Sequence, residues 1–247
     1  MTGRIRKQWE DLGAHDPYWA VLTHPDKKGG RWNKEEFFKT GVAEIDGLET
    51  TLAKYGVKPG RRAAVDYGCG VGRLTRALAT RFDKVIGVDI SQAMLDEARA
   101  NTREAGNVEL VRGTGSDLRG IADESIDLVY SNIALQHSPS DFQRGVIRDM
   151  CRVLAPGGVI AFQNASHANL HDVRGILHLA LGNRILNVAR RIVYGKRSVM
   201  ELHTLPKADV IAILASGGVD VRSAERYDSA GQAFVGFLYI ATKPAKR

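Results

Sequence analysis

The segment Ala64-Val65-Asp66-Tyr67-Gly68-Cys69-Gly70-Val71-Gly72-Arg73 decides the fold of this 247-residue chain. It begins as an apolar run, passes through an acid, turns through three alternating glycines and leads into a helical pattern. Glycines at such a turn let the backbone bend tightly and let a ligand lie directly against it. The third glycine comes one position too early for a dinucleotide fingerprint. An acid two residues before the first glycine suits a ligand that carries an amino group.

Short strand-like runs alternate with helical stretches around this segment. We predict strands at Ala63–Tyr67, Lys84–Asp89, Val108–Arg112, Ile126–Ser131 and Val159–Gln163. The spacing predicts helices between them at Leu74–Arg81, Ala93–Ala105 and Phe142–Leu154, with Ser91 and Ser140 as N-caps of the second and third. The succession of strand and helix predicts a doubly wound α/β fold with a parallel sheet.

The C-terminal end departs from this alternation. Val219–Tyr227 and Phe234–Thr242 are strand-like runs joined by too few residues for a crossover helix, so we expect an antiparallel hairpin. A helix at Lys207–Ala215 is predicted before them, with Thr204 as its N-cap and Pro206 in its first turn. The complete pattern predicts seven strands in a mostly parallel sheet.

We interpret the chain as a single domain, 1–247, with four parts. Residues 1–59 form a helical N-terminal cap, 60–163 the ligand-binding core, 164–205 a helical insert after the fifth strand, and 206–247 the final helix and hairpin. With 44% hydrophobic and 26% charged residues, the composition is that of a globular protein and excludes disordered, collagenous and coiled-coil classes.

The formal charge of +7 is unevenly distributed. The predicted core, 60–163, holds 13 basic and 13 acidic residues, whereas the insert, 164–205, holds six basic and two acidic ones. Because the core is neutral, nucleic acid is not the expected partner. The local excess of positive charge predicts a substrate (an acceptor) that is anionic or membrane-associated, or a solvated face of a lid. The insert is therefore interpreted as a lid, as a surface for peripheral membrane contact, or as a dimerising surface.

Two features bear on the compartment. Two cysteines, Cys69 and Cys151, cannot form a disulfide framework, so a reducing compartment is expected. The chain contains no apolar run near the roughly 20 residues that span a bilayer, and its charged beginning has no apolar leader stretch. The expectation is a cytoplasmic protein.

The combined motifs resemble the class I S-adenosylmethionine-dependent methyltransferases that act on small molecules. The resemblance is carried by the sequences VDYGCGVGR and VIGVDIS, and by Gly113–Leu118, Asp127–Asn132 and Arg152–Gly158. It covers roughly residues 60–163, and the terminal hairpin also fits that fold. It implies a seven-stranded Rossmann-like sheet, S-adenosylmethionine as cofactor and S-adenosylhomocysteine as product.

The resemblance also implies a cofactor-binding set. It places Asp66 near the cofactor amino group, Asp89 at the ribose hydroxyls, and Ile90 and Met94 beside the adenine. Arg73 is expected either to meet the cofactor carboxylate or to be a solvated residue at a helix start. The full set is Asp66, Gly68, Cys69, Gly70, Gly72, Arg73, Asp89, Ile90, Met94, Ser116, Asp117, Leu118, Asn132 and Ile133.

The donor methyl is already activated by its positive sulfur, so the enzyme must mainly hold the acceptor in line and exclude water. A hydroxyl acceptor also benefits from a base. His137 follows the fourth strand at the ligand-binding edge of the sheet, and it is the candidate base, with a structural or cofactor-adjacent role as the alternative. Trp32, His167 and His171 are candidate acceptor contacts. No metal site is predicted, because beside its four histidines the insert offers only Asp172 and Glu201 as carboxylates and no cysteine.

The sequence therefore predicts a methyltransferase of a small-molecule acceptor, preferably acting on a hydroxyl of a sugar, glycolipid or secondary metabolite. The alternatives are N- or C-methylation of a small molecule, RNA methylation, and cofactor binding without catalysis. RNA methylation is disfavoured because Ser131-Asn132-Ile133-Ala134 stands where nucleic-acid enzymes carry an Asn/Asp-Pro-Pro-Tyr-like motif. The acceptor and the oligomeric state stay open.

Overall fold

The computed structural model describes residues 2–182, 200–227 and 231–245. In these ranges seven strands form one sheet in the order β3-β2-β1-β4-β5-β7-β6. The strands are β1 (Ala63–Tyr67), β2 (Lys84–Asp89), β3 (Val108–Arg112), β4 (Ile126–Ser131), β5 (Leu154–Ala168), β6 (Asp220–Arg226) and β7 (Phe234–Thr242). β1 to β5 pair in parallel, and β7 pairs antiparallel with both β5 and β6. The predicted α/β fold and its C-terminal hairpin are confirmed.

Helices pack on both faces of the sheet, and three helices precede β1 at the N-terminus of the chain. They are α1 (Thr2–His15), α2 (Pro17–Val21), α3 (Lys34–Lys54), α4 (Arg73–Ala79), α5 (Gln92–Asn101), α6 (Ser140–Val153), α7 (173–182) and α8 (Lys207–Ser216). The first three form the predicted helical cap. The predicted start of the insert at residue 164 lies inside β5, and α7 is the helix that follows that strand. Residues 183–199 of the predicted insert lie outside the described residues.

Two apolar layers form the core, one on each face of the sheet. One layer packs α6 and α8 against the sheet, and within it Phe162 stacks on Tyr239 with ring centroids 5.0 Å apart. The other layer packs α3 and α4 and includes Ile45 and Leu78. Every residue of β4 is buried, as expected for a central parallel strand covered on both faces.

The bounds of β1 to β4 and β7 agree with the predicted ones, but β5 is longer. Gly157 adopts a positive φ of 79°, which carries the chain through the turn without ending the strand. At the other end, Ala168 pairs with Phe234 of β7, so the strand continues past Gln163. The antiparallel partner extends β5 beyond what the local apolar run indicates.

One of the three predicted N-caps is confirmed. The hydroxyl of Ser91 accepts a hydrogen bond from the Met94 N–H at 3.2 Å. Ser140 is instead the first residue of α6, with Pro139 at the cap. Thr204 is also wrong, because Pro206 occupies the cap of α8. The Lys207 N–H there donates to the hydroxyl of Ser166 on β5, a partner distant in sequence.

Candidate active site

A cleft of about 910 Å³, open to solvent, lies at the carboxyl edge of the parallel strands. The loops after β1, β2 and β4 form its floor, and α1 and α2 form its cover. Of the predicted site residues, ten line it: Gly68, Cys69, Gly70, Arg73, Asp89, Ile90, Met94, Asn132, Ile133 and His137.

The glycine loop is pressed against its surroundings. A Cβ at Gly68 would lie 2.2 Å from Cβ of Ala134, and one at Gly70 would lie 2.4 Å from Cγ2 of Val21. Both glycines adopt positive φ angles, 77° and 52°. Side chains are thus excluded twice, by backbone conformation and by space, so the loop presents bare backbone to the cleft.

Asp89 ties this loop to the end of β2. Its Oδ2 accepts a hydrogen bond from the Gly70 N–H, and its Oδ1 accepts one from the Ser91 N–H, both at 2.9 Å. Burial raises the pKa of this carboxyl above its usual range. Each oxygen retains further acceptor capacity, which is what a pair of ribose hydroxyls requires.

A buried charge cluster lies beside the loop and is centred on Glu44 of α3. Its carboxylate accepts hydrogen bonds from Arg73 Nη2 at 2.6 Å, from the Tyr130 hydroxyl at 3.0 Å and from Asn132 Nδ2 at 2.7 Å. Arg73 is only 4% exposed, so the interpretation of it as a solvated residue at a helix start is wrong. Its charge is held inside the protein by Glu44 and by the Thr40 hydroxyl.

Two polar atoms of this cluster have no hydrogen-bond partner among the described residues. They are Nε of Arg73, a donor, and Oδ1 of Asn132, an acceptor, and both are buried. Buried polar atoms are normally paired, so an unpaired donor and acceptor in a cleft indicate a ligand that supplies the opposite groups. The carboxylate and ammonium of an amino acid do so.

His137 lies in the cleft wall next to α1. Its Nδ1 is 2.9 Å from the Glu201 carbonyl oxygen, which can only accept, so Nδ1 carries the proton and Nε2 is an acceptor. Trp9 packs edge-on against the imidazole, with centroids 5.2 Å apart. Burial lowers the pKa of His137 to about 4. The ring is therefore neutral near pH 7.

Glu10 fastens the cover of the cleft. Its carboxylate accepts hydrogen bonds from the N–H groups of Gln92 and Ala93, at 2.8 and 2.9 Å, and thus caps α5 from another helix. A Cβ at Gly13 would lie 3.1 Å from Cβ of Ala93, so α1 lies very close to α5. The fastened helix brings Trp9 to the cleft.

Asp66, predicted to face the ligand, lies beneath the loop and outside the cleft lining. Its carboxylate accepts a hydrogen bond from the Thr75 hydroxyl at 2.6 Å, and burial raises its pKa to about 6. Gly72 also faces away from the cleft, because a Cβ there would point to Thr102 and Ala98 at 3.3 and 3.4 Å. These two positions shape the loop from below.

The predicted adenine-edge residues Ser116, Asp117 and Leu118 do not line the cleft. Leu118 is 1% exposed, and its N–H donates to Asp149 at 2.7 Å. The Asp117 carboxylate pairs with Arg119 at 2.9 Å. The neighbouring glycines, Gly113 and Gly115, do line the cleft.

The three predicted acceptor contacts also lie outside the lining. Trp32 donates its Nε1 proton to the Leu22 carbonyl and is therefore part of the cap. Nδ1 of His167 is 3.2 Å from the Ser166 hydroxyl near the end of β5, and His171 is exposed. The side chains of the N-terminal cap that do line the cleft include Ile5, Trp9 and Val21.

Comparison with known proteins agrees with this arrangement. A family described as a methyltransferase domain matches residues 65–162. Residues 65–162 belong to this methyltransferase-domain family. This methyltransferase domain contains the glycine loop, Asp89, Asn132 and His137.

Curated relatives are similar to this chain over only about half of their length. A trans-aconitate 2-methyltransferase of Deinococcus radiodurans is 43% identical over 143 residues, which cover 56% of this chain and 52% of that protein. A malonyl-[acyl-carrier protein] O-methyltransferase of Methylococcus capsulatus is 35% identical over 141 residues, covering 54% and 50%. The chain thus spans about half the length of these curated relatives.

Among solved structures, the magnesium protoporphyrin IX methyltransferase of Synechocystis, with bound S-adenosylhomocysteine, superimposes with a TM-score of 0.64. The match covers 98% of this chain and 100% of that one at 19% identity, which establishes a shared fold. Within the described residues, no helix is both long and apolar enough to cross a membrane, and no three metal-ligating side chains cluster.

Proposed function

We propose that the protein transfers a methyl group from S-adenosylmethionine to an oxygen of a small-molecule acceptor. The observation that carries this proposal is the paired set of unsatisfied atoms, Arg73 Nε and Asn132 Oδ1, beside a glycine loop that hydrogen-bonds to Asp89. The loop and the membership of residues 65–162 in the methyltransferase family support it independently.

The residues present fit the cofactor. Arg73 and Asn132 offer a donor and an acceptor for the two charged groups of its methionine part. The Asp89 carboxylate would receive the ribose hydroxyls, and Ile90 with Met94 provides an apolar place for the adenine. When bound, the cofactor supplies a methyl group on a positive sulfur. Asp66 would act only through the loop that it supports.

The acceptor would lie between His137 and the side chains of α1 and α2. Ile5, Trp9 and Val21 make this side apolar, so it excludes water from the transfer. The unprotonated Nε2 of His137 is available to take a proton from an acceptor hydroxyl. We therefore propose O-methylation of a hydroxyl of a sugar, glycolipid or secondary metabolite, with His137 as the general base.

A second acceptor class is favoured by the environment of His137. A base with a pKa of about 4 takes a proton poorly from an alcohol near pH 7. A carboxylate needs no proton removal, because it is already ionised and nucleophilic. The relatives named for trans-aconitate and for malonyl-[acyl-carrier protein] also point to acidic acceptors. We therefore rank a carboxylate acceptor as the main alternative to a hydroxyl.

The test is methyl transfer from labelled S-adenosylmethionine to two acceptor panels, one of small carboxylates and one of hydroxyl compounds. His137→Asn separates the two mechanisms, since asparagine retains an N–H donor but removes Nε2. If the acceptor is a hydroxyl, His137→Asn should lower kcat about 10²–10⁴-fold. If the acceptor is a carboxylate, the same substitution should leave kcat nearly unchanged. Absence of transfer to every acceptor, together with cofactor binding, would leave a binding protein without catalysis and reject the proposal.

A further inference from the structure

Helix α7 carries an unusual concentration of exposed apolar side chains. Of the eight large apolar residues that the described part of the chain exposes, five lie in α7 and a sixth, Leu170, lies shortly before it. Val173 is 71% exposed, and Leu179 is 70% exposed. Side chains of this kind are scattered singly over an ordinary surface, so their clustering in one helix indicates a contact surface.

The orientation of α7 is fixed by its other side. A Cβ at Gly175 would lie 2.1 Å from the Asn169 carbonyl oxygen and 2.8 Å from that of Ala233, so this side of the helix lies directly on the protein backbone. The His178 ring packs edge-on against Phe234 at 4.7 Å. The helix therefore uses a glycine and a histidine to pack on the domain, and its apolar side faces outward.

The outward residues form a continuous stripe. At 100° per residue, Val173, Ile176, Leu177 and Leu181 fall within an arc of about 140°, while Gly175 and His178 lie on the other side. The exposed Leu179 lies outside this arc and is not part of the stripe. A surface helix normally packs its apolar stripe inward. Here the stripe is presented to the surroundings, which is the arrangement of a helix that lies in a membrane interface.

The charge of the neighbouring sequence indicates which surface the stripe meets. Residues 183–199, whose structure is not described, contain five basic residues and no acidic one. A second copy of this chain would carry the same basic run next to its stripe in sequence, so it offers no complementary charge. An anionic lipid surface complements both properties, since it accepts apolar side chains at the acyl boundary and attracts basic residues.

We propose that the apolar stripe of α7 docks the protein on anionic membranes. α7 follows β5, and the carboxyl end of β5 lies at the same sheet edge as the cleft. Docking through this helix is peripheral and brings that edge toward the lipid surface. The docking surface does not depend on the proposed methyl transfer, since neither the cofactor nor an acceptor takes part in it.

Co-sedimentation of the full chain with lipid vesicles tests the proposal. Vesicles of phosphatidylcholine containing about one-third phosphatidylglycerol should bind the protein at least about tenfold more tightly than pure phosphatidylcholine, and high salt should weaken that binding. Ile176→Ser combined with Leu177→Ser should lower the binding about tenfold. Val42→Ser is the matched control, because Val42 is an exposed valine of α3 and its loss should change nothing.

An environment-sensitive dye on Val173→Cys gives a second readout. Cys69 and Cys151 are both buried, so the new thiol is the preferred target of the label. Anionic vesicles should shift the emission of this dye to shorter wavelength and leave the same dye on Val42→Cys unchanged. Lack of a shift, or equal binding of the double serine variant and the wild type, overturns the proposal. A protein dimer that the double serine variant dissociates also overturns it, since the stripe would then be covered by a second copy.

Discussion

The Glu44 carboxylate lies 2.6 Å from Nη2 of Arg73, in a pair whose arginine is buried and whose glutamate side chain is 18% exposed. The pair connects the N-terminal cap to the end of the glycine loop, since Glu44 belongs to α3 and Arg73 is the first residue of α4. Its geometry leaves Nε of Arg73 without a partner among the described residues and beside the cleft. Glu44 is therefore expected to position Arg73 for the ligand.

Glu44→Gln should lower both the unfolding free energy of the protein and its affinity for S-adenosylhomocysteine. A buried arginine that loses its counter-charge costs about 3 kcal/mol of unfolding free energy, measured by urea denaturation. Affinity for S-adenosylhomocysteine should fall about tenfold by calorimetry, because the guanidinium is no longer held in one orientation.

Glu35→Gln is the control for that experiment. Glu35 lies on the same helix, is exposed and pairs with Lys39. It should change stability by less than about 0.5 kcal/mol and leave ligand affinity intact. Equal cofactor affinity of Glu44→Gln and wild type would refute the positioning role of Glu44.

The neutral state of His137 makes stability depend on pH. An unfolded chain protonates this histidine near its ordinary pKa of 6.5, whereas the folded protein resists protonation down to about 4. The unfolded state thus binds more protons between these values, so the contribution of His137 is present above pH 6.5 and is lost as the pH falls toward 4. The full loss is up to about 3 kcal/mol.

His137→Asn isolates this contribution from that of the other titrating groups. The difference in unfolding free energy between wild type and His137→Asn should shrink as the pH is lowered from 7.5 to about 4.5. Chemical denaturation at a series of pH values measures it. A difference that is constant with pH would show that His137 titrates normally in the folded protein.

Glu10→Ala should loosen α1 from α5. Loss of the cap exposes the N–H groups of Gln92 and Ala93, so their hydrogen exchange should accelerate, and stability should fall by about 1 kcal/mol. Dissociation of S-adenosylhomocysteine should become several-fold faster because the cover opens more readily. Asp11→Ala, at the exposed neighbouring position, should show neither effect; if it matched Glu10→Ala, the fastening would not depend on the cap.

Much of the fold could be predicted from the sequence because its signals are local. The parallel strands are continuous apolar runs, and the alternating glycines indicate a turn after β1. For this reason β1 to β4 were predicted with their observed bounds. The end of β5 was not, because its extension depends on pairing with β7, more than sixty residues away. Thr204 and Ser140 failed as caps for a different reason, because the prolines Pro206 and Pro139 occupy the cap positions of these two helices.

The candidate site divides in the same way. The motif predicted Gly68, Cys69, Gly70 and Arg73, which line the cleft, and also Gly72, which does not. Glu44 was missed because its partner is 29 residues away, although one signal existed. It sits on the buried stripe of α3 with Gly41 and Leu48, and an acid on such a stripe needs a partner. Trp32 and His171 were aromatic or basic residues without a positional signal, and neither reaches the cleft.

Calorimetric titration of S-adenosylhomocysteine into wild type and Asp89→Ala tests the central claim most directly. The wild type should bind, and Asp89→Ala should bind about 1–3 kcal/mol more weakly through loss of the ribose hydrogen bonds. Asp96→Ala, at an exposed acid of α5, should bind like the wild type. No heat of binding with the wild type, or equal affinity of Asp89→Ala, would contradict the assignment of this cleft to the cofactor.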